Sequence, residues 1–376
     1  MLALMTDAPA RTPLYDWHTA HGGRMVDFAG WSMPVQYSSI VAEHVATRTA
    51  VGLFDVSHMG RILFRGPGAG AYLDRLVTRK VSDQQLGQVR YALVTNDAGG
   101  ILDDVLVYRF ATEAGEGEYH QLVVNASNRE KIVAWLQAHP PRAERVSFHD
   151  HTTATAMIAV QGPRALELLK PLVAADPAAM KYYTALETAV AGIPTLLSRT
   201  GYTGEDGWEL IVTDADAAPL WDMLATQGAP LGALPAGLGC RDTLRLEAAM
   251  PLYGHELNES INPLQAGLKF AVDLEGRTFP GRDALAALAG KQDMPVRVGL
   301  EITGKRPARE GYPIFAGGQQ VGTVTSGTLS PTLEKPIAMG YVPAELAALG
   351  TSVEIDARGR REPATVVKMP FYRRKK

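Results

Sequence analysis

Arg61-Ile62-Leu63-Phe64-Arg65-Gly66-Pro67-Gly68-Ala69 and, further along, Met157-Ile158-Ala159-Val160-Gln161-Gly162-Pro163-Arg164-Ala165 read as one device written twice. Each is a short apolar strand, a Gly-Pro turn and the opening of an amphipathic helix, predicted over 70–77 in the first copy and 166–173 in the second. Leu73 then matches Leu169, and Leu76 matches Leu172. Later parts correspond more loosely: Gln121-Leu122-Val123-Val124 leads to a helix with Trp135, and Glu209-Leu210-Ile211-Val212 to a helix with Trp221. Such repetition predicts two related α+β units, each of antiparallel strands backed by helices. They would face each other across a shared cleft, a frequent place for a ligand.

Outward from the repeat the pattern changes twice. The first 50 residues carry Phe28-Ala29-Gly30-Trp31-Ser32-Met33-Pro34-Val35-Gln36-Tyr37, then a helix over 40–49 and the strand-like Gly52-Leu53-Phe54-Asp55-Val56-Ser57-His58-Met59. Near Lys291-Gln292-Asp293-Met294-Pro295 it changes again. Short alternating segments between glycine turns follow, at 297–302, 312–315, 320–326, 337–342, 352–356 and 364–368, the spacing of a small antiparallel barrel. The expected fold class is therefore α+β. Residues 1–290 would form a core of two interleaved domains, with repeat units near 52–140 and 150–285 around a central cleft. A C-terminal small antiparallel β-barrel would occupy 295–376.

A chain of 376 residues is too long for one ordinary hydrophobic core. Its 46% hydrophobic and 20% charged residues are the balance of a folded soluble protein. A net charge of −3 offers no basic field for nucleic acid, and Arg373-Arg374-Lys375-Lys376 reads as a solvated tail. One cysteine, Cys240, excludes a disulfide framework and any cysteine-based zinc site, and fits a reducing compartment. No apolar run approaches the roughly 20 residues that span a bilayer. Met1-Leu2-Ala3-Leu4-Met5-Thr6-Asp7 has no basic region of a signal peptide, so the expectation is a cytoplasmic protein without membrane contact.

Several polar constellations stand out. Leu102-Asp103-Asp104-Val105-Leu106-Val107-Tyr108 puts two acids at the head of an apolar strand after the turn Asn96-Asp97-Ala98-Gly99-Gly100. Strand side chains alternate, so one acid points toward the interior or a cleft, where an Asp is costly unless bonded. Both acids could instead simply finish the turn. Thr200-Gly201-Tyr202-Thr203-Gly204-Glu205-Asp206-Gly207-Trp208-Glu209-Leu210 places Glu205 and Asp206 at a turn tip and Glu209 at a strand start. There Glu209 could accept paired donors from a ligand edge or merely be exposed. In Gly237-Leu238-Gly239-Cys240-Arg241-Asp242-Thr243-Leu244-Arg245-Leu246-Glu247, Arg241 and Arg245 share a helix face. They suit a carboxylate or polar heterocycle, or ion pairs within the helix with Asp242 or Glu247. Asn125 ends a buried-type strand before the capping box Ser127-Asn128-Arg129-Glu130, is not needed for that cap, and could face a ligand or serve the turn. Gly66-Pro67-Gly68-Ala69-Gly70 lacks the context of a dinucleotide loop. His149-Asp150-His151 lacks a third ligand signature, so no metal site is expected.

Taken in order along the chain, these segments resemble one family, the T-protein (aminomethyltransferase) of the glycine cleavage system. The resemblance runs from Thr12-Pro13-Leu14-Tyr15 to Lys368-Met369-Pro370-Phe371. Its markers are Met25-Val26-Asp27-Phe28 with Gly30-Trp31, Phe54-Asp55-Val56-Ser57-His58-Met59, Gly99-Gly100-Ile101-Leu102-Asp103-Asp104, Gly201-Tyr202-Thr203-Gly204-Glu205, Arg241-Asp242-Thr243-Leu244-Arg245-Leu246-Glu247 and Gly322-Thr323-Val324-Thr325-Ser326-Gly327. The resemblance implies three domains around a central folate pocket. It implies transfer of an aminomethyl group from the lipoyl arm of H-protein to tetrahydrofolate, the co-substrate, with release of ammonia and 5,10-methylenetetrahydrofolate and no metal. Asp104 then matches the critical aspartate beside the folate nitrogens, Glu209 the acid reading the pterin's donor edge, and Arg241 the folate-site arginine. Asn125, Tyr91, Met59 and Arg297 match the pocket lining, with Asp103 in reserve should the register be reversed. Cys240 stands where the family commonly has Ala, and Tyr372 is the candidate for an aromatic that the family can supply from its C-terminus. Two other readings share the fold: acceptance of one-carbon units from another amine donor, and a non-enzymatic folate-binding protein related to iron–sulfur maturation factors.

Overall fold

The protein is described by a computed structural model over residues 8–111, 117–291 and 293–374; the signal-peptide reading of 1–7, Gln292 and the last two lysines of the tail lie outside these. Among the described residues four β-assemblies form, the smallest a three-stranded sheet of Ala10–Arg11, Trp31–Gln36 and Arg24–Phe28. A five-stranded sheet runs, in spatial order, Val89–Thr95, Ile101–Ala111, Glu118–Val124, Gly60–Arg65 and Ser147–Asp150. A six-stranded sheet runs Ala185–Val190, Ile193–Ser198, Gly207–Thr213, Thr155–Gln161, Val51–Asp55 and Ala233–Pro235. Their first four strands follow one order, so the sequence repeat is also a repeat of topology.

Each sheet takes its next strand from the other half of the chain. Val51–Asp55, which precedes the first repeat, pairs antiparallel with Thr155–Gln161, as Phe54↔Ala159. Ser147–Asp150, which precedes the second, pairs antiparallel with Gly60–Arg65, as Phe64↔Phe148. The Gly-Pro turns make this exchange possible. Gly66 (φ +119°) and Gly162 (φ +136°) occupy backbone space closed to L side chains. A Cβ on Gly66 would stand 2.3 Å from the Arg145 carbonyl oxygen, and one on Gly162 would stand 2.4 Å from that of Ala50. Each glycine thus abuts the residue that leads into the exchanged strand.

Alternation along the strands supplies three apolar layers. Ile62, Phe64, Leu73 and Leu136 pack behind the first sheet, and Val160, Leu169, Leu210 and Trp221 behind the second. Between the sheets lie Phe54, Tyr108, Val123, Met157 and Ile211, with the helix residues Cys240 and Leu244. Leu73 and Leu169, the matched pair, are sealed from solvent, and truncating either to Ala would cost about 2–5 kcal/mol. Both repeat helices are shorter than expected, Ala69–Asp74 and Ala165–Leu169. The Asp74 carboxylate turns the chain by accepting from the N–H groups of Val81 and Ser82, and Pro171 disfavours helix at Lys170.

The C-terminal strands close into a barrel in the order Val296–Ile302, Lys335–Val342, Gln319–Ser330, Pro313–Ala316, Ser352–Asp356 and Arg361–Val367. Closure removes exposed sheet edges. The barrel is fixed to the core by buried polar contacts. Arg245 donates to Ser326 at 2.7 Å, and Thr325 to Glu256 at 2.6 Å. Glu247 accepts from Ser330 and Thr332. No described helix is long and apolar enough to cross a membrane.

Candidate functional site

Between the sheets, the helix Leu238–Glu247 and the segment 249–270 lies a cavity of about 750 Å³. The acid pair stands on its wall. Strand Ile101–Ala111 pairs with Val89–Thr95 as Leu93↔Asp104 and Val94↔Asp103, beside a register shift at Val94/Thr95. Asp104 lines the cavity, whereas Asp103 is fully buried beneath it and does not. Asp103, held in reserve for the opposite register, is turned away from the cavity by alternation along the strand.

Asn125, just past Glu118–Val124, serves both acids. Its Nδ2 donates to Asp103 Oδ1 at 2.8 Å and to Asp104 Oδ1 at 2.7 Å, and its backbone N–H donates to Asp103 Oδ2 at 3.0 Å. Asn128 adds a fourth contact, from Nδ2 to Asp103 Oδ1 at 2.6 Å. The expected capping box does not form: the helix begins at Arg129, after a 3₁₀ turn over Ala126–Asn128, and no side chain caps it. Asn128 holds the cap position but spends its amide on Asp103. Tyr91, on the neighbouring strand, donates its hydroxyl to Asp104 Oδ2 at 3.1 Å. Burial raises the proton affinity of Asp104, against the bonds from Asn125 and Tyr91. Among the described residues neither acid has a cationic partner.

Glu209 and Arg241 line the same cavity. Glu209 lies in strand Gly207–Thr213, opposite Ala159 and Ser198, and accepts from the Thr200 hydroxyl. Burial raises its pKa, while Thr200 and the charge of Arg241 act the other way. The Arg241 guanidinium lies 4.8 Å from the centre of the Tyr202 ring, and its buried Nη1 has no partner among the described residues. A buried guanidinium with a free donor costs free energy unless a ligand accepts from it. Arg245 does form ion pairs, with Asp242 and with Glu256 rather than with Glu247. Glu205 lies in the bend before strand Gly207–Thr213, as the turn reading has it, but is buried and paired with Arg48 at 2.8 Å. Asp206 pairs with Arg199 and Arg374.

Met59 and Arg297 complete the expected lining, and Arg297 Nη1 donates to the Ala249 carbonyl at 3.3 Å. So Asp104, Glu209, Arg241, Asn125, Tyr91, Met59 and Arg297 are brought together and Asp103 is set behind them. Sequence reasoning missed the aromatic walls: Phe28, Tyr183, Tyr202, Tyr253 and Phe270. Phe28 and Tyr202 sat within quoted motifs, whereas Tyr183, Tyr253 and Phe270 lie in a turn, an isolated bridge and a short 3₁₀ segment without periodic signal. Backbone strain also gathers here. Ala29, Tyr183 and Ala249, three of the six described non-glycine residues with positive φ, line the cavity. Tyr372 does not: it stacks on Arg48, 4.0 Å from the guanidinium, and its N–H reaches the Glu247 carbonyl.

Residues 14–276 match the GCVT N-terminal domain family, and residues 296–373 match the glycine cleavage T-protein C-terminal barrel domain. The chain belongs to the glycine cleavage T-protein family. Relatives in this family include the aminomethyltransferase of Streptomyces avermitilis, 48% identical over 99% of this chain and all of that protein. The aminomethyltransferase of Moorella thermoacetica is 49% identical over 97% of this chain and 98% of that one. Among solved structures, the glycine cleavage system aminomethyltransferase T from Bartonella henselae superposes with a TM-score of 0.89 at 33% identity, covering 96% of this chain and 98% of that chain. The T-protein family is one of folate-dependent transferases, and this member is accordingly an enzyme. No cluster of three or more His, Cys, Asp or Glu residues able to hold a metal occurs among the described residues.

Proposed function

We propose that this enzyme transfers the aminomethyl group carried on the lipoyl arm of H-protein to tetrahydrofolate, releasing ammonia and 5,10-methylenetetrahydrofolate. The observation that carries the reading is the composition of the cavity. An acid without a cationic partner, a second buried acid and a guanidinium with a free donor converge within aromatic walls. The volume of about 750 Å³ falls within the roughly 300–1,000 Å³ typical of small-molecule sites. A folate fits these walls chemically: a flat bicycle with a donor edge, joined to a second aromatic ring.

In this reading Glu209 accepts from the pterin's donor edge, and Arg241 offers its free N–H to a ligand acceptor. Tyr91, Met59, Asn125 and Arg297 shape the pocket around the substrate. Asp104 stands where positive charge grows as a folate nitrogen attacks the methylene carbon, and its carboxylate stabilises that charge and orients the ring. Cavity walls that exclude water strengthen this effect. The repeat units near 52–140 and 150–285 form the folate-binding body, and residues 295–376 brace it. Cytoplasmic residence accords with a reaction between two soluble partners.

The maturation-factor alternative loses support at Cys240, which is sealed from solvent with its thiol pushed up by burial, and lies outside the cavity lining. The alternative of a different amine donor loses support from the relatives, which are named aminomethyltransferases and match 97–99% of this chain at 48–49% identity. The test is one reaction tube holding aminomethyl-loaded H-protein and tetrahydrofolate, with ammonia and methylenetetrahydrofolate followed together. Equal formation of both is expected. Tetrahydrofolate binding without either product would overturn the transferase chemistry proposed.

A further inference from the structure

Asp103 is fully buried, has no ion-pair partner among the described residues and does not line the cavity, yet four hydrogen bonds from Asn125 and Asn128 are arranged around it and its neighbour. We propose that Asp103 is a positioning residue that acts through the side-chain amide of Asn125, fixing the Asp104 carboxyl and turning the amide's carbonyl oxygen toward the cavity. The inference rests on the assignment of Asp104 to the reacting site.

The geometry forces the orientation of the amide. Its two hydrogens are claimed by Asp103 Oδ1 and Asp104 Oδ1, so its oxygen is the atom left for a ligand N–H. Asp103 also accepts from the Asn125 backbone and from Asn128, so neither the amide nor the chain carrying it can rotate without unmaking a buried bond. The Asn128 side chain, well placed to cap its helix, is diverted to this task.

The same contacts couple the two acids. Asp103 accepts three hydrogen bonds, two from Asn125 and one from Asn128. Burial and the charge of Asp104 raise its proton affinity, and the three donors oppose them. Asp104 has fewer N–H donors and a hydroxyl, that of Tyr91, able to turn. The two carboxyls therefore titrate as one coupled pair, in which the charge of Asp104 raises Asp103 and the bond from Asn125 holds Asp104 down against its burial. The remaining titratable groups around the pair are Tyr91, Tyr183, Tyr202 and Tyr253, all with hydroxyls held neutral by burial, while Arg241, Arg245 and Glu209 line the same cavity without bonding to either acid.

The test is a pH profile of turnover between about pH 5 and 9 for the full-length enzyme with H-protein and tetrahydrofolate. Protonation of Asp104 gives the acid limb. Asp103→Asn loosens the Asn125 amide, whose bond to Asp104 holds that acid's proton affinity down, so that limb moves up, with turnover reduced and tetrahydrofolate affinity nearly unchanged. Asp103→Glu returns the limb toward its original position. Asn128→Ala, which leaves every cavity contact in place, moves it in the same direction by less, and decides the matter should Asp103→Asn fail to fold. A limb unmoved in both Asp103→Asn and Asn128→Ala overturns the inference while leaving Asp104 in place. Normal turnover by Asp104→Asn would instead overturn the assignment of Asp104 itself.

Discussion

At the junction of core and barrel, Glu247 accepts from Arg48 Nη2 at 2.9 Å, faces His44 Nε2 at 3.2 Å and receives the Ser330 and Thr332 hydroxyls. In the cleft, Asp104 is offered one amide and one phenol, and no cation. Glu247 is buried, and Asp104 is half-buried at the cavity wall. Burial alone would raise Glu247, but His44, Ser330 and Arg48 more than offset it and bring its pKa to about 2. For Asp104 burial prevails and the shift is upward. The junction spends its charges on each other and is inert. The cleft leaves Asp104, Glu209 and Arg241 under-compensated, which is the condition for acting on a ligand.

That contrast can be broken most directly at Asp104. Asp104→Asn should lower turnover by about 10³-fold while tetrahydrofolate binding persists, because only stabilisation of developing charge is lost. Next in size is Glu247→Gln, which leaves Arg48 buried with one partner fewer. It should cost about 3 kcal/mol in urea unfolding, with activity per folded molecule retained. Loss of activity without loss of stability would erase the distinction between the two regions. Glu209→Ala should weaken tetrahydrofolate binding about tenfold by calorimetry, the scale of one charge-assisted hydrogen bond.

The smallest effect has opposite signs in the two regions. Glu247 titrates lower in the folded chain than the ordinary 4.5, so its contribution is complete above that value and is lost as pH falls toward 2. Asp104 titrates higher when folded, so its charge is a burden at high pH, relieved as pH falls. Asp104→Asn should therefore raise the melting temperature by a few degrees at about pH 8 and by less at about pH 5.5.

Much of this was legible in the sequence, and the reasons are local. The Gly-Pro turns at Gly66 and Gly162 announced the repeat because a positive φ admits few other residues. The helix over Ile40–Thr49 and the six barrel strands were readable from periodicity. The exchange of Val51–Asp55 and Ser147–Asp150 was not, since pairing between distant strands leaves no periodic trace in either. Glu205 was legible as a turn residue but not as a buried one, because its partner, Arg48, is remote in sequence. In the site, Asp104, Glu209 and Arg241 were found through motifs that the family shares. Tyr183, Tyr253 and Phe270 were missed because they sit where the chain is irregular and only the fold gathers them.

The crossed strands have a consequence for how the chain is made. As it leaves the ribosome, Val51–Asp55 emerges early, but its pairing partner Thr155–Gln161 is about a hundred residues behind. Gly60–Arg65 must likewise wait for Ser147–Asp150. Neither half can complete its sheet alone, and a chain cut between them would yield two pieces with open edges rather than two small proteins. The cleft is thus assembled late, in one step, when the second half arrives to lend and to receive a strand.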